Sequence, residues 1–183
     1  MLETGLDGLG GSSIAPGRLK MTAPTGLSTI TKPSDREIRV ERVFAAPRDR
    51  VWRAFTEPEL LAKWWGRENK LVIERSEVVR GGHWRYVEQL RDGVHGFEGR
   101  YREVKAPERI VRTFEYDGMP GHVSVETAIF ADAGEGRTKV VTTSLFHTTE
   151  ERDGMLHSGM EQGLNESYTG LDRLLSDQDR AGS

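Results

Sequence analysis

Residues 41–66 read "ERVFAAPRDRVWRAFTEPELLAKWWG", and this stretch sets the order of the first structural elements. It continues "REIRVERVF" from Arg36, where Ile38, Val40, Val43 and Phe44 break up a run of Arg and Glu. That spacing predicts a strand with one wet face, ending near Ala45. Pro47 then marks the first turn of a helix, where its missing N–H costs nothing, and Val51, Trp52 and Phe55 share one face of it. Thr56 and Pro58 open a second short helix, and Gly66 follows its end. Three of the four tryptophans, Trp52, Trp64 and Trp65, lie in this stretch. They either seal an ordinary core or line a cavity.

Downstream, residues 71–79, 83–90, 96–104, 109–116, 122–130 and 138–146 read as strands. The segments between them, among them "RGG", "RDG", "KAPE", "YDGMPG" and "DAGEG", carry the Gly, Pro and Asp of hairpin-type turns. An antiparallel meander follows. The chain then closes with Met155, Leu156, Met160, Leu164, Tyr168, Leu171 and Leu175 at intervals that suit one long amphipathic helix over about 150–176. The expected fold is α+β: a curved antiparallel sheet of about six to seven strands wrapped on a long C-terminal helix, with two short helices after strand one. A helix laid across a concave sheet leaves room beneath it.

The expected organisation is a flexible leader over 1–33, one domain over 34–178 and a tail over 179–183. The leader is rich in Gly, Ser, Thr and Pro with no hydrophobic period. Residues 1–20 read as added or upstream-start sequence, with Met21 as the alternative start. A net charge of -3 and a pI near 6.0 lack the basic excess that phosphate contacts demand, so nucleic acid is not an expected partner. No apolar run reaches the roughly 20 residues of a membrane span, and "MLETGLDGLGG" has no cationic start or apolar segment of a signal peptide. The absence of Cys excludes a disulfide framework and thiolate chemistry, and fits the cytoplasm.

The stretches "ERVFAAPRDRVWRAFTEPELLAKWWG", "GGHWRYV", "FEGRYREVKAPERIVRTFEY" and "SGMEQGLNESYTGLDRLL" resemble the SRPBCC (START and Bet v-like) superfamily. Within it, they resemble the branch of the activator of heat-shock-protein-90 ATPase and of a calicheamicin-resistance protein. The resemblance spans about 36–176. It implies a helix-grip fold with a deep cavity between the curved sheet and the C-terminal helix. Members use that cavity for lipids, sterols, polyketides or flavonoid-like molecules, and some act as cyclases or hydrolases. The superfamily shares no catalytic residue, so the resemblance assigns none, and fold alone does not give function.

The resemblance also places the tryptophan pair Trp64 and Trp65 near the cavity mouth, as core seal or as stacking surface. Strand alternation puts Trp84 and Tyr86 on one face of "HWRYV", Tyr101 on the face of Gly99, and Phe114 with Tyr116 and Arg112. With Met160 and Tyr168 on the helix, these residues form the candidate cavity lining or, alternatively, a packed core. Arg112 is the discordant member: either a cavity cation for an acidic ligand or a sign that the faces are reversed. Glu98, Glu115, Glu126 and Glu161 are acids available to a general base, with directions the sequence leaves open.

The five His, at 83, 95, 122, 147 and 157, form no short metal-binding pair, so neither metal nor cofactor is expected. Thr148 or Thr149 is a helix N-cap, with Glu150 and Glu151 suiting the dipole. Gly159, Gly163 and Gly170 fall on one stripe of the last helix, which either lets it approach the sheet, leaves room for a ligand, or marks a kinked start.

The expected function is binding of a small apolar or aromatic ligand, with no catalytic motif in view. A cavity enzyme of the cyclase or hydrolase type is the alternative. A chaperone-activating or resistance protein ranks below both, and an exposed edge strand leaves room for a homodimer.

Overall fold

A computed structural model describes residues 26–66 and 70–182. Strand β1 (Thr29–Thr31) pairs antiparallel with β2 (Glu37–Phe44), which leads into α1 (Arg48–Thr56) and the single turn α2 (Pro58–Leu61). There follow β3 (Lys70–Ser76), β4 (His83–Leu90), β5 (Gly93–Lys105), β6 (Arg109–Tyr116), β7 (Ser124–Gly134) and β8 (Arg137–Leu145). Two helices, α3 (Thr149–His157) and α4 (Met160–Ala181), complete the chain.

All eight strands form one antiparallel sheet in the order β1-β2-β8-β7-β6-β5-β4-β3. The meander from β3 to β8 brings the last strand back beside β2, so α1 and α2 carry the chain from one side of the sheet to its far edge. Register breaks between Tyr101 and Glu103 of β5 and between Ile73 and Arg75 of β3 interrupt the pairing. Such bulges bend a strand and increase its twist, which suits a sheet curling around a helix.

The strand count exceeds the sequence expectation by β1. Its three residues, "TIT", are too short to show a period, and they fall inside the stretch read as leader. The readings placed on residues 1–25 lie outside the described residues. At the other end α4 runs through the expected tail to Ala181.

The C-terminal helix is two helices rather than one. Gly159 separates them with φ 81°, a left-handed conformation in which a Cβ is strained. The periodicity of Met155 and Leu156 continues into Met160 and Leu164, so hydrophobic spacing alone did not reveal the break. Thr148 caps α3 by accepting a hydrogen bond from the Glu151 backbone N–H at 3.1 Å.

The core lies on the concave face. Trp84, Tyr86, Tyr101, Phe44 and Phe130 are its largest fully buried side chains. From α1, Trp52 packs edge-on against Phe130 at 5.1 Å, and from α4, Tyr168 meets Phe44 at 5.2 Å. Arg50 of α1 donates from Nη2 to the Leu175 carbonyl at 2.6 Å and pairs with Asp179, fixing the C-terminal half of α4. α4 packs on α1 and α3, and Met160, Leu164 and Tyr168 of its N-terminal half face a space between that half and the sheet.

Candidate functional site

The space under that half of α4 is a cavity of about 320 Å³. Its floor is an ordered row across four strands, set by register: Tyr101 opposes Arg112, Arg112 opposes Glu126, and Glu126 opposes Ser144. Period-two alternation turns all four to the same face. Phe97 and Phe114 stand on one side of this row, and Ala128 and Thr142 on the other. From above, Met160, Leu164 and Tyr168 of α4 close the space.

Trp64 and Trp65 divide two jobs between neighbouring positions. Trp64 is 5% exposed, donates its indole N–H to the Ala54 carbonyl at 2.8 Å and packs on Phe55 and Tyr168. Trp65 is only half-buried and meets Tyr86 and Phe97 edge-on, at 5.6 and 5.2 Å. Both line the cavity, but only Trp64 is also locked into the core.

Arg112 resolves the question of strand faces: it points inward. Its Nε donates to Glu126 Oε2 at 2.9 Å, and its guanidinium lies 4.3 Å from the Trp84 ring centroid. About a fifth of each partner remains accessible, 20% for Arg112 and 19% for Glu126, and both line the cavity. Burial works against the charge on Arg112. Glu126 outweighs that cost and holds the pKa above the ordinary arginine value. Burial likewise raises the phenol of Tyr86 and pushes that of Tyr168 up to about 12, so both stay neutral donors. The Tyr86 hydroxyl is buried beside Arg112 and Tyr101 without a completed hydrogen bond.

Of the ten candidate lining residues, Trp64, Trp65, Tyr86, Tyr101, Arg112, Phe114, Met160 and Tyr168 line this cavity, whereas Trp84 and Tyr116 do not. Trp84 lies beneath it. A Cβ at Gly99 would sit 2.8 Å from the Trp84 indole nitrogen and 1.9 Å from the Thr113 carbonyl oxygen, so the missing side chain admits the ring. Its N–H donates to that carbonyl at 3.2 Å while Arg112 covers its face. Tyr116, near the end of β6, turns to His95: the hydroxyl is 2.6 Å from Nδ1 and the rings stack at 16°.

Sequence reasoning left Glu126, Phe55, Phe97 and Ser144 out of the lining. Glu126 had a readable signal: in "SVETAIF" it shares the period-two face of Ser124, Ala128 and Phe130, a charge on an inward face. Arg112 interrupts Ile110 and Phe114 in the same way one strand over. Two discordant charges of opposite sign on neighbouring strands mark a buried pair.

The other three acids named from the sequence lie elsewhere, whereas Glu88, itself buried, joins Glu126 in the cavity lining. Glu98 joins His83 and Arg85 on the outer face, Glu115 accepts the Gly121 backbone N–H at 2.7 Å, and Glu161 is exposed on α4. His122 meets Glu151 at 2.6 Å, tying the β6–β7 turn to α3. Among the described residues, no group of His, Asp and Glu is placed to hold a metal ion, and no helix is long and apolar enough to cross a membrane.

An eight-stranded antiparallel sheet gripping a C-terminal helix over an aromatic-walled cavity defines a helix-grip protein. Residues 45–176 match the family model described as Activator of Hsp90 ATPase homolog 1-like protein, and the chain belongs to that SRPBCC-type family. Among solved structures, a Rhodobacter sphaeroides protein is similar at 28% identity, covering 82% of this chain and 99% of that one with a TM-score of 0.76. A Staphylococcus epidermidis protein is similar at 27% identity, covering 82% and 94% with a TM-score of 0.70. A Mycobacterium smegmatis protein, at 19% identity, 80% and 97% coverage and a TM-score of 0.71, shares the fold. No protein of curated function matches the sequence.

Proposed function

We propose that this protein binds a small apolar or aromatic molecule in the cavity beneath α4. The observation that carries the reading is the make-up of the cavity. Aromatic and aliphatic walls surround about 320 Å³, with a polar row containing Arg112 and Glu126 in the floor and Glu88, Thr142 and Ser167 as further polar lining. Binding pockets are commonly built this way, with apolar area supplying burial and a few placed polar groups supplying orientation. The volume lies at the small end of the ordinary pocket range and suits a ligand of one to a few fused rings. Trp65, at the wall and only half-buried, supplies a stacking surface.

Thermal denaturation in the presence of naphthalene and similar ring compounds tests the reading. A molecule that binds only the folded state raises Tm in proportion to its occupancy. The wild-type protein should show a concentration-dependent rise. Ala128→Leu, which fills the cavity from its floor, should lose that rise while its own Tm is maintained or increased. A wild-type Tm that no apolar or aromatic compound moves would count against the proposal.

The chaperone-activating activity in the family's name is a second reading. It ranks below ligand binding because the cavity has direct chemical content for a small molecule.

A further inference from the structure

The polar row in the cavity floor carries information about the ligand's own polar group. Arg112 and Glu126 form a pair of zero net charge inside an apolar wall. The pair is only partly used: among the described residues, the one hydrogen bond of full geometry that the guanidinium makes runs from Nε to Glu126 Oε2, with the Tyr86 hydroxyl close alongside. Trp84 covers one face of the guanidinium, whose N–H donors lie in its own plane. Beside it stands the buried hydroxyl of Tyr86, close to Arg112 and Tyr101 but without a hydrogen bond of full geometry. Donors and an acceptor thus sit together at one place in the floor.

Four ligand chemistries can be compared there. A carboxylate would accept from Arg112, but it offers Glu126 no proton and brings a second negative charge against it in a medium that screens poorly. A hydrocarbon fills the volume and leaves the pair's hydrogen-bonding capacity unmet, now shut off from water. A hydroxyl accepts from Arg112 and donates to Glu126 with the same oxygen, and a carbonyl uses the Arg112 or Tyr86 donor without adding charge.

We infer that the ligand is an aromatic molecule bearing a neutral hydroxyl or carbonyl group, seated on the Arg112–Glu126 pair, and that carboxylates are excluded; this rests on the ligand-binding reading above. The assignment reverses the simplest view of a lone cavity arginine, which is recruitment of an acid. Glu126 already occupies that role.

Equilibrium dialysis of the full chain at neutral pH against naphthalene, 2-naphthol and 2-naphthoate tests it. The three probes share a ring system and differ in the group presented to the floor. The expected order is 2-naphthol tightest, naphthalene weaker by roughly tenfold or more, and 2-naphthoate weakest, from the value of a hydrogen bond to a charged group. Glu126→Gln removes the negative charge and keeps the shape. In that variant 2-naphthoate should gain at least about tenfold relative to 2-naphthol, since Arg112 is left without its counter-ion.

Should Glu126→Gln fail to fold, the wild-type order alone decides. Tighter binding of 2-naphthoate than of 2-naphthol, or equal binding of naphthalene and 2-naphthol, would overturn the inference while leaving the cavity as a binding site. Failure of all three probes to bind would instead strike the ligand-binding reading itself, and this inference with it.

Discussion

At the scale of single residues, the Arg112–Glu126 pair and the two adjacent tryptophans make separable predictions. Glu126→Ala leaves a guanidinium charged and largely enclosed without its partner, so stability to urea should fall by about 3–5 kcal/mol. Replacing both members by apolar residues of similar size, Arg112→Met with Glu126→Leu, should restore most of that loss. A pair whose joint replacement costs more than either single change would show that its geometry, and not charge compensation, holds the floor. Trp64→Ala removes a ring packed on Phe55 and Tyr168 and a hydrogen bond to Ala54, and should cost about 3–5 kcal/mol. Trp65→Ala should cost clearly less by the same urea titration and reduce ring-compound binding more. Sequence alone could not divide these roles, because a Trp-Trp pair at a helix end carries no sign of which ring turns inward. The inward direction of Arg112 was open for a related reason. Period-two alternation groups residues on a face, but only the position of the neighbouring strands says which face is covered.

At the scale of elements, Gly159 and Gly170 behave oppositely although both stand on the sequence stripe of the last helix. Gly159 ends the α3 segment in a left-handed conformation, so Gly159→Ala should destabilise by about 1–2 kcal/mol. At Gly170 a Cβ would meet Trp64 at 3.5 Å, ordinary van der Waals contact, within helical backbone. Gly170→Ala should therefore raise stability by up to about 1 kcal/mol through a less flexible unfolded chain and better helix propensity. Thermal melts of the two variants, run side by side, check both signs. A drop for both would mean that α4 needs its close approach to Trp64. The strands from β2 to β8, the two short helices and a threonine cap at 148 or 149 were legible because alternation, Pro placement and turn residues are local signals, and the structure selects Thr148. The division into α3 and α4 was not legible, since one left-handed glycine leaves the hydrophobic spacing around it intact. Strand β1 was missed because its pairing with β2, Ile30 opposite Val40, is a tertiary fact that three residues cannot announce.

For the whole molecule, acid lability follows from the outer face rather than from the cavity. Asp117 accepts from Arg85, which holds its carboxyl below the ordinary carboxylate range. Glu41 beside Lys139 and Glu151 beside His122 are held low in the same way. A carboxyl depressed on folding stabilises the protein above its unfolded pKa, and that contribution is lost as pH falls through the depressed folded value. Stability should thus hold through neutral pH and decline below the ordinary carboxylate range. Each pair is partly exposed, so the individual effects are small and salt-sensitive. Tm measured from pH 7 downward should fall less steeply for Asp117→Asn than for the wild type. Identical slopes would remove Asp117 from the acid transition.

The proposed binding site is the space between the sheet and α4. Solution NMR of the isotope-labelled protein with one equivalent of 2-naphthol tests it by location. Intermolecular contacts from the ring to the methyl groups of Ala128, Met160 and Leu164 are predicted, because all three residues line the cavity. Contacts confined to the exposed Val125 and Ile129 on the outer face of β7, with the cavity methyls unmoved, would contradict it.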